Sequence, residues 1–595
     1  MKRRFAFTQA LLACLVCVAC SSNAWAAEKT GAQKSAAQLL PGSTMVYAEL
    51  SEPKVLLDLL LEHPLRERIE QLDQVKKAKQ TPQYLQFQII VSLIELQIGM
   101  KWNEAFNSLT EGGISVGFDP KTDGVALLAQ SESADALENL RDTFLKLARN
   151  EAQRKGNPDP IKTTDYRGIT TYSVGEAKFA TLDSLLIVVN NDELGKTILD
   201  NYLDDSAGSL ADNEQFQNAR KTMTGKPTLW AYLDVATVRA ANPEADFYNQ
   251  KNNNVALELL IGGLIGTAQK TPYLTASLDI DTHRLALNLS APHDPDWIGP
   301  EHEYFFGPGG QGAAPPLLEP KENLLSLSIY RDFSSMWLNS ADIFTDKVDA
   351  EFAQANANLA TLFSGKDFGE EVLGSFQPEV QFVATRQHYE EDRPIPAIKI
   401  PAFALVFRFK NPEPMRADFR RMFQSLIGFL NITGAQNGQP QLDQDIEKLG
   451  DHQILTSTYA PEADKKLSEQ NKINFNFSPS VAFAGDAFVV SSTSQLAREL
   501  VQLVTKPRVQ GDKAKNNFVP NIQLNTDFSA VRDTVNDNRN QLVTQTILSE
   551  GKERDEAEKQ VDLILEALGA IQNLSLHLDT NQETVQFELE VNLAK

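Results

Sequence analysis

Leu325-Ser326-Leu327-Ser328-Ile329-Tyr330-Arg331 runs directly into Asp332-Phe333-Ser334-Ser335-Met336. Apolar residues at every second position mark a strand with one face turned to a core, because side chains alternate across a sheet. An aspartate at the break, followed by apolar residues at helical spacing, marks a capped helix start, since its carboxylate can accept from the free N–H groups of the first turn. The same junction is written three more times. Thr44 to Leu50 leads into Ser51-Glu52-Pro53 and Val55-Leu56-Leu57, Leu229 to Leu233 into Asp234-Val235-Ala236-Thr237-Val238, and Ile522 to Thr526 into Asp527-Phe528-Ser529-Ala530-Val531.

Working outward from these junctions, the same elements recur in the same order. The hairpin Gly113 to Asp119 and Gly124 to Gln130, with the helix Asp135 to Ala148, matches Val380 to Arg386, Phe403 to Phe409 and the helix Pro414 to Leu430. Gly168 to Val174, Ala177 to Asp183, Leu185 to Asn190 and the helix Asp192 to Tyr202 match His452 to Tyr459, Val481 to Gly485, Ala487 to Ser491 and the helix Thr493 to Val504. Each half closes on a helix and a long hairpin: Val255 to Ala268 before Leu274 to Ile280 and Arg284 to Leu289, and Val561 to Ile571 before Leu574 to Leu578 and Thr584 to Val591. The fold class this predicts is α+β: two divergent copies of one module, each a mainly antiparallel sheet with packed helices on one face. The expected boundaries are a leader at 1–26, a disordered stretch at 27–38, module one at 39–292, a linker at 293–320 and module two at 321–595. The linker reading rests on Gly307-Pro308-Gly309-Gly310 and Pro315-Pro316.

The first residues read as an export signal. Lys2, Arg3 and Arg4 precede an apolar run from Phe5 to Ala19, too short to span a bilayer comfortably, and Ala24-Trp25-Ala26 places small residues before a cleavage point at Ala27. Cys17-Val18-Ala19-Cys20 is a loose lipobox, which makes lipidation at Cys20 the alternative, although Cys17 stands where leucine is usual. Plain export to the periplasm or exterior is preferred, with an outer-membrane lipoprotein as the minority reading. All three cysteines, Cys14, Cys17 and Cys20, lie in this leader, so cleavage at Ala27 leaves a chain without disulfides, cysteine nucleophiles or thiolate metal sites. The segment Tyr84 to Met100 is interrupted by Gln86, Gln88, Ser92, Glu95 and Gln97, which suits a mostly buried amphipathic helix and not a membrane span. The formal net charge of −23 over 595 residues repels polyanions, and no basic stripe offers phosphate contacts, so nucleic acid is excluded as a partner.

The motifs that suggest chemistry each have a plainer structural reading. Gly113-Ile114-Ser115-Val116-Gly117 matches the pattern of serine hydrolases, yet Ser115 sits mid-strand, whereas that chemistry needs a sharp strand-to-helix turn. Ser51-Glu52-Pro53-Lys54 matches the S-x-x-K of penicillin-binding enzymes. Asp332, Asp234 and Asp527 hold the equivalent place at the other junctions, so capping accounts for all four. Asp119 to Gly124 begins like a calcium loop but has Lys121 at the third position and Gln130 at the twelfth, and reads as a hairpin turn. Gly195-Lys196-Thr197 lacks the leading glycine of a phosphate loop and reads as helix. No two histidines have helical zinc spacing; His293, Asp294, Asp296, His302 and Glu303 in the linker are the weak candidates for a divalent cation. Trp297 beside them is the candidate exposed aromatic platform. No catalytic residue and no cofactor motif is assigned.

The start Leu40-Pro41-Gly42-Ser43-Thr44-Met45-Val46-Tyr47-Ala48-Glu49-Leu50, with Leu61-Glu62-His63-Pro64-Leu65 after it, resembles a family of exported bacterial α+β proteins known only as a domain of unknown function. The resemblance covers about the first thirty mature residues. It implies export and a repeated α+β build and carries no catalytic residues. The expected function is a non-enzymatic cell-envelope binding or scaffold protein, its partner an unidentified envelope protein or ligand. An envelope hydrolase with a site assembled from distant residues, or a carrier of apolar molecules, are the alternatives.

Overall fold

The computed structural model describes residues 34–594, apart from scattered positions between 62 and 100 and short internal stretches, the longest being 242–250, 460–471 and 507–517. The leader, with Ala24, Ala26, Ala27 and Cys20, lies outside these residues, as do His63 and much of Tyr84 to Met100. The chain divides into two units, Met1–Asn242 with Pro272–Leu289, and Pro243–Thr271 with Ser290–Lys595.

In the first unit β1 (Val46–Leu50) lies between β2 (Ile114–Asp119) and β8 (Leu229–Asp234). Beyond β2 follow β3 (Gly124–Gln130), β7 (Leu185–Val189), β6 (Ala177–Leu182), β5 (Ile169–Val174) and β4 (Ile161–Tyr166). Beyond β8 lies β9 (Tyr273–Ile280), whose hairpin partner is β10 (Arg284–Pro292). In the second unit β11 (Asn323–Tyr330) lies between β12 (Phe376–Thr385) and β18 (Val519–Asp527). Beyond β12 follow β13 (Ala402–Phe409), β17 (Ala487–Ser491), β16 (Ser480–Ala484), β15 (His452–Tyr459) and β14 (Leu442–Leu449). Beyond β18 lie β19 (Ile571–Thr580) and β20 (Thr584–Leu593). These pairings are all antiparallel, and strand for strand the order β9-β8-β1-β2-β3-β7-β6-β5-β4 of the first unit is that of β19-β18-β11-β12-β13-β17-β16-β15-β14 in the second.

Helices cover both faces of each sheet, not one as expected. All five residues of β7 are buried, so neither face of that strand tolerates water. Ile187 and Val189 pack with Leu194, Ile198 and Leu199 of the helix Asp192–Leu203. Their neighbours Leu186 and Val188 pack with Leu137, Leu140 and Leu145 of the helix Ala134–Arg154 on the opposite face. The second unit repeats this division. Ile454, Ala482 and Val489 meet Leu496, Ala497 and Leu500 of the helix Ser494–Val504, while Leu455, Val481 and Phe488 meet Met415, Phe419 and Phe423 of the helix Glu413–Gln436.

The acidic helix starts behave as caps at three junctions. Asp332 accepts from Ser335 N–H at 3.0 Å, Asp234 from Thr237 N–H at 2.8 Å and Asp527 from Ser529 N–H at 2.8 Å. Ser51 instead donates its backbone N–H to Thr228 C=O at 2.9 Å, and the helix there begins at Pro53. β4 and β14 escape the alternation rule because they are exposed and largely polar. Between Leu442 and Leu449, Asp443, Gln444, Asp445 and Ile446 all face solvent. β14 pairs only with β15 among the described residues, and Asp445 Oδ1 accepts the Ile446 N–H at 2.7 Å.

Three expected boundaries shift. Within 27–38, residues from 34 on are ordered: the helix Ala36–Leu39 buries Ala37 and Leu39 in the first unit's core, and Lys34 Nζ donates to Asn201 C=O at 2.9 Å. The segment 293–320 is not a linker. Its Tyr304, Phe305 and Phe306 are fully buried in the second unit's core beside Ile329, Met336 and Phe344. The helix Val255–Lys270 belongs with that same core, not with the first unit, since Gly263 lets it approach the Phe305 ring so closely that a Cβ there would stand 2.5 Å from the ring.

Candidate functional site

A cleft of about 120 Å³ opens in the first unit between the helix Asp192–Leu203 and the sheet from β4 to β7. Part of its lining is apolar, the buried side chains of Ala180, Ile187, Val189 and Leu199. The rest is polar, with the hydroxyl-bearing Thr164, Thr171 and Ser173 and with Lys178, Asp192 and Lys196. Strand alternation produces this division: Lys178 and Ala180 are two apart on β6, so both face the helix, and Thr171 and Ser173 do the same on β5. Gly195 forms part of the helical wall; an added Cβ there would stand 3.1 Å from Val189 Cγ2. Lys178 is held by Asp192 at 2.6 Å. Lys196 lies over the Tyr166 ring, 6.0 Å from its centroid, and forms no ion pair among the described residues.

The same place in the second unit is filled. Gly195 is the fourth residue of its helix, and Ala497, fourth in Ser494–Val504, is fully buried. Thr171, third in β5, corresponds to Ile454, third in β15 and also fully buried. Lys196 and Thr164 correspond to Arg498 and Glu447, which close on each other with Nε–Oε distances of 2.9 and 2.8 Å. The second unit has a different, polar cleft of about 270 Å³ lined by Lys321, Glu322, Arg386, His388 and Thr493. Most of its charges are already engaged: Arg386 forks onto Asp537 at 2.7 and 3.0 Å, and His388 bonds Glu322.

The proposed cation ligands do not converge. His293 is buried, its Nδ1 3.3 Å from Thr267 Oγ1 and its ring 5.0 Å from the Phe306 ring. Asp294 caps a short turn by accepting from Asp296 N–H at 3.0 Å. His302 faces Glu258 at 3.7 Å and Glu301 at 3.4 Å, and Glu303 begins the helix Glu303–Phe306. No group of three metal-ligating side chains is found among the described residues. Trp297 is half-buried, and its carbonyl accepts from Lys270 Nζ at 2.8 Å.

His293 nevertheless has a consequence. Its Nε2 is buried without a partner, and burial holds its pKa below the ordinary 6.5 in spite of Asp294 nearby. The unfolded chain therefore takes up this proton first as pH falls. The stabilising contribution is complete above about pH 6.5 and is lost as pH drops toward the folded-state value. Urea midpoints for the second unit at about pH 7.5 and about pH 5.5 should differ less in His293→Gln than in the natural protein.

The remaining motifs take structural roles. Ser115 pairs with Glu49 in the β1–β2 register, and its Oγ lies 3.4 Å from Tyr47 Oη. Tyr47 donates to Glu49 Oε2 at 2.6 Å, and burial together with that carboxylate pushes its phenol well above the usual range, so it offers Ser115 no base. Lys54 pairs with Asp58 at 2.5 Å along its own helix. Asp119, buried, accepts from Thr122 N–H at 3.1 Å and Thr122 Oγ1 at 2.8 Å, which fastens the hairpin turn.

The largest buried charge is Arg331. Its Nη1 donates to Asn521 Oδ1 at 2.7 Å and to Tyr330 C=O, its Nε to Leu259 C=O at 2.5 Å, and its guanidinium lies 3.5 Å from the Phe305 ring centroid. Burial pushes its pKa down to about 9, against the pull of Tyr304 and Glu258, so it stays charged at neutral pH. Tyr304 Oη in turn donates to Glu258 Oε1 at 2.7 Å, and Asn252 Nδ2 donates to Glu258 Oε2 at 3.0 Å. Sequence reading missed this cluster; an arginine continuing the every-second-residue series Leu325, Leu327 and Ile329 was the available signal.

No family model matches the sequence, and no curated protein matches it. Among solved structures, crystal form IV of TP0453 is 11% identical, with a TM-score of 0.23 over 43% of this chain and 79% of that chain. Crystal form III is 11% identical, with a TM-score of 0.21 over 43% and 78%. At these scores the likeness carries no argument. No helix among the described residues is long and apolar enough to cross a membrane.

Proposed function

We propose that this is an exported cell-envelope protein made of two divergent copies of one α+β module, and that it works by binding and not by catalysis. The matching strand orders, with acidic helix starts at the matching Asp234 and Asp527 junctions, support the duplication. The observation that carries the binding reading is the cleft of the first unit, kept open by Gly195 and Thr171 where Ala497 and Ile454 fill the second. A duplicated module that retains an opening in one copy and packs it shut in the other divides the work: one copy binds, the other supports. Export rests on the leader ending at Ala26, and the resemblance of Leu40 to Leu50 to exported α+β proteins supports the same placement.

Native mass spectrometry of the protein purified from the envelope fraction of a bacterial host tests both parts. The expected result is a chain beginning at Ala27 that carries a small-molecule adduct, with the adduct lost when Gly195→Ala and Thr171→Ile are combined. An adduct unaffected by those changes, or hydrolytic turnover abolished by one polar substitution, overturns the binding reading. A lipidated chain starting at Cys20 overturns plain export.

A further inference from the structure

We infer that the first unit's cleft takes an amphipathic anion, a carboxylate headgroup on a short aliphatic tail. This rests on the binding reading above and deepens it to a ligand class. The apolar and polar parts of the lining differ in what they can solvate. Ile187, Val189 and Leu199 give up no hydrogen bonds to a ligand and favour a hydrocarbon, whereas Thr171, Ser173 and the lysines favour a charged oxygen. The sign of that charge follows from comparing the two units. In the second, Arg498 is neutralised by Glu447 across the closed site. In the first, Thr164 stands where Glu447 would be, so Lys196 keeps its charge without a carboxylate opposite it. Lys178 in the same lining is already paired with Asp192, which leaves Lys196 as the ammonium a headgroup would meet. A headgroup reaching Lys196 supplies the carboxylate that the fold withholds there, and its tail lies against the apolar part of the lining beside Gly195.

Isothermal titration calorimetry on the mature chain, with sodium octanoate and with octyltrimethylammonium as probes sharing one tail, tests the charge. Octanoate should bind at one site and the cation should not. Lys196→Glu, an exposed change that leaves the core intact, should weaken octanoate at least about tenfold and admit the cation. A variant carrying Thr164→Glu, Gly195→Ala and Lys196→Arg should abolish both, and circular dichroism establishes that it is folded. Equal binding of both probes, or octanoate binding unchanged in Lys196→Glu, overturns the inference. If neither probe binds while the native adduct persists, the ligand class is wrong and the binding reading stands; if no adduct exists either, both fall.

Discussion

Replacing Arg331 by methionine should lower the stability of the second unit by about 3–5 kcal/mol, among the largest effects of any single substitution in this chain. Methionine fills comparable space but donates nothing. The carbonyls of Leu259 and Tyr330 and the side-chain oxygen of Asn521 lose a charged donor inside the core. The Glu258 carboxylate, already buried, loses the nearby positive charge that offsets it. Lysine should rescue little, because one ammonium cannot reproduce the planar fork that reaches several acceptors at once. Hydrogen exchange resolved to peptides is the appropriate measurement, since a chain of two units need not unfold in one step. Protection should collapse across Val255–Lys270 and β11, with the first unit unaffected. Retained protection in that helix would mean that Arg331 is not what fastens it.

The second large effect belongs to the first unit. Trp230→Ala should cost about 3–5 kcal/mol, the usual range for deleting a fully enclosed large aromatic. The indole stands 5.6 Å from the Phe216 ring and 6.1 Å from the Tyr47 ring, and the Arg220 guanidinium sits 4.0 Å above its face. Arg220 also grips Glu49, with Nη1–Oε1 at 2.6 Å and Nη2–Oε2 at 2.5 Å, so removing the ring uncovers an ion pair as well as opening a cavity. Trp230→Phe should recover roughly half of the loss, because it restores most of the apolar volume. Exchange protection in β1 and β8 reports the change.

Much of the architecture is legible in the residues. The four junctions, the caps Asp234, Asp332 and Asp527, and the strands of both halves other than β4 and β14 follow from alternation and capping chemistry that act within a few residues. The continuous apolar run Leu185–Val189 already implied cover on both faces, whereas the one-sided expectation rested on the succession of hairpins and single helices. What failed depended on contacts between distant segments. Tyr304-Phe305-Phe306 lies among prolines and glycines that suggest a linker, yet its burial is decided by Ile329 and Phe344, which local composition does not report. The assignment of Val255–Lys270 was lost for the same reason: its partner Arg331 is over sixty residues away. The cleft was half visible. Gly195-Lys196-Thr197 is helix, as expected, but its meaning emerges only when Gly195-Lys196 is set beside Ala497-Arg498 in the matching helix.

Among the described residues β14 ends its sheet with an unpaired row of backbone groups, the geometry on which another chain's strand most readily adds. Asp443 and Asp445 give that rim negative charge, and Asp445 occupies the Ile446 N–H that an incoming carbonyl would need. An approaching second molecule of the same composition meets repulsion and one docking point already taken. The rim thus acts as a built-in stopper against fibre growth, and neutralising Asp445 would be the way to remove it.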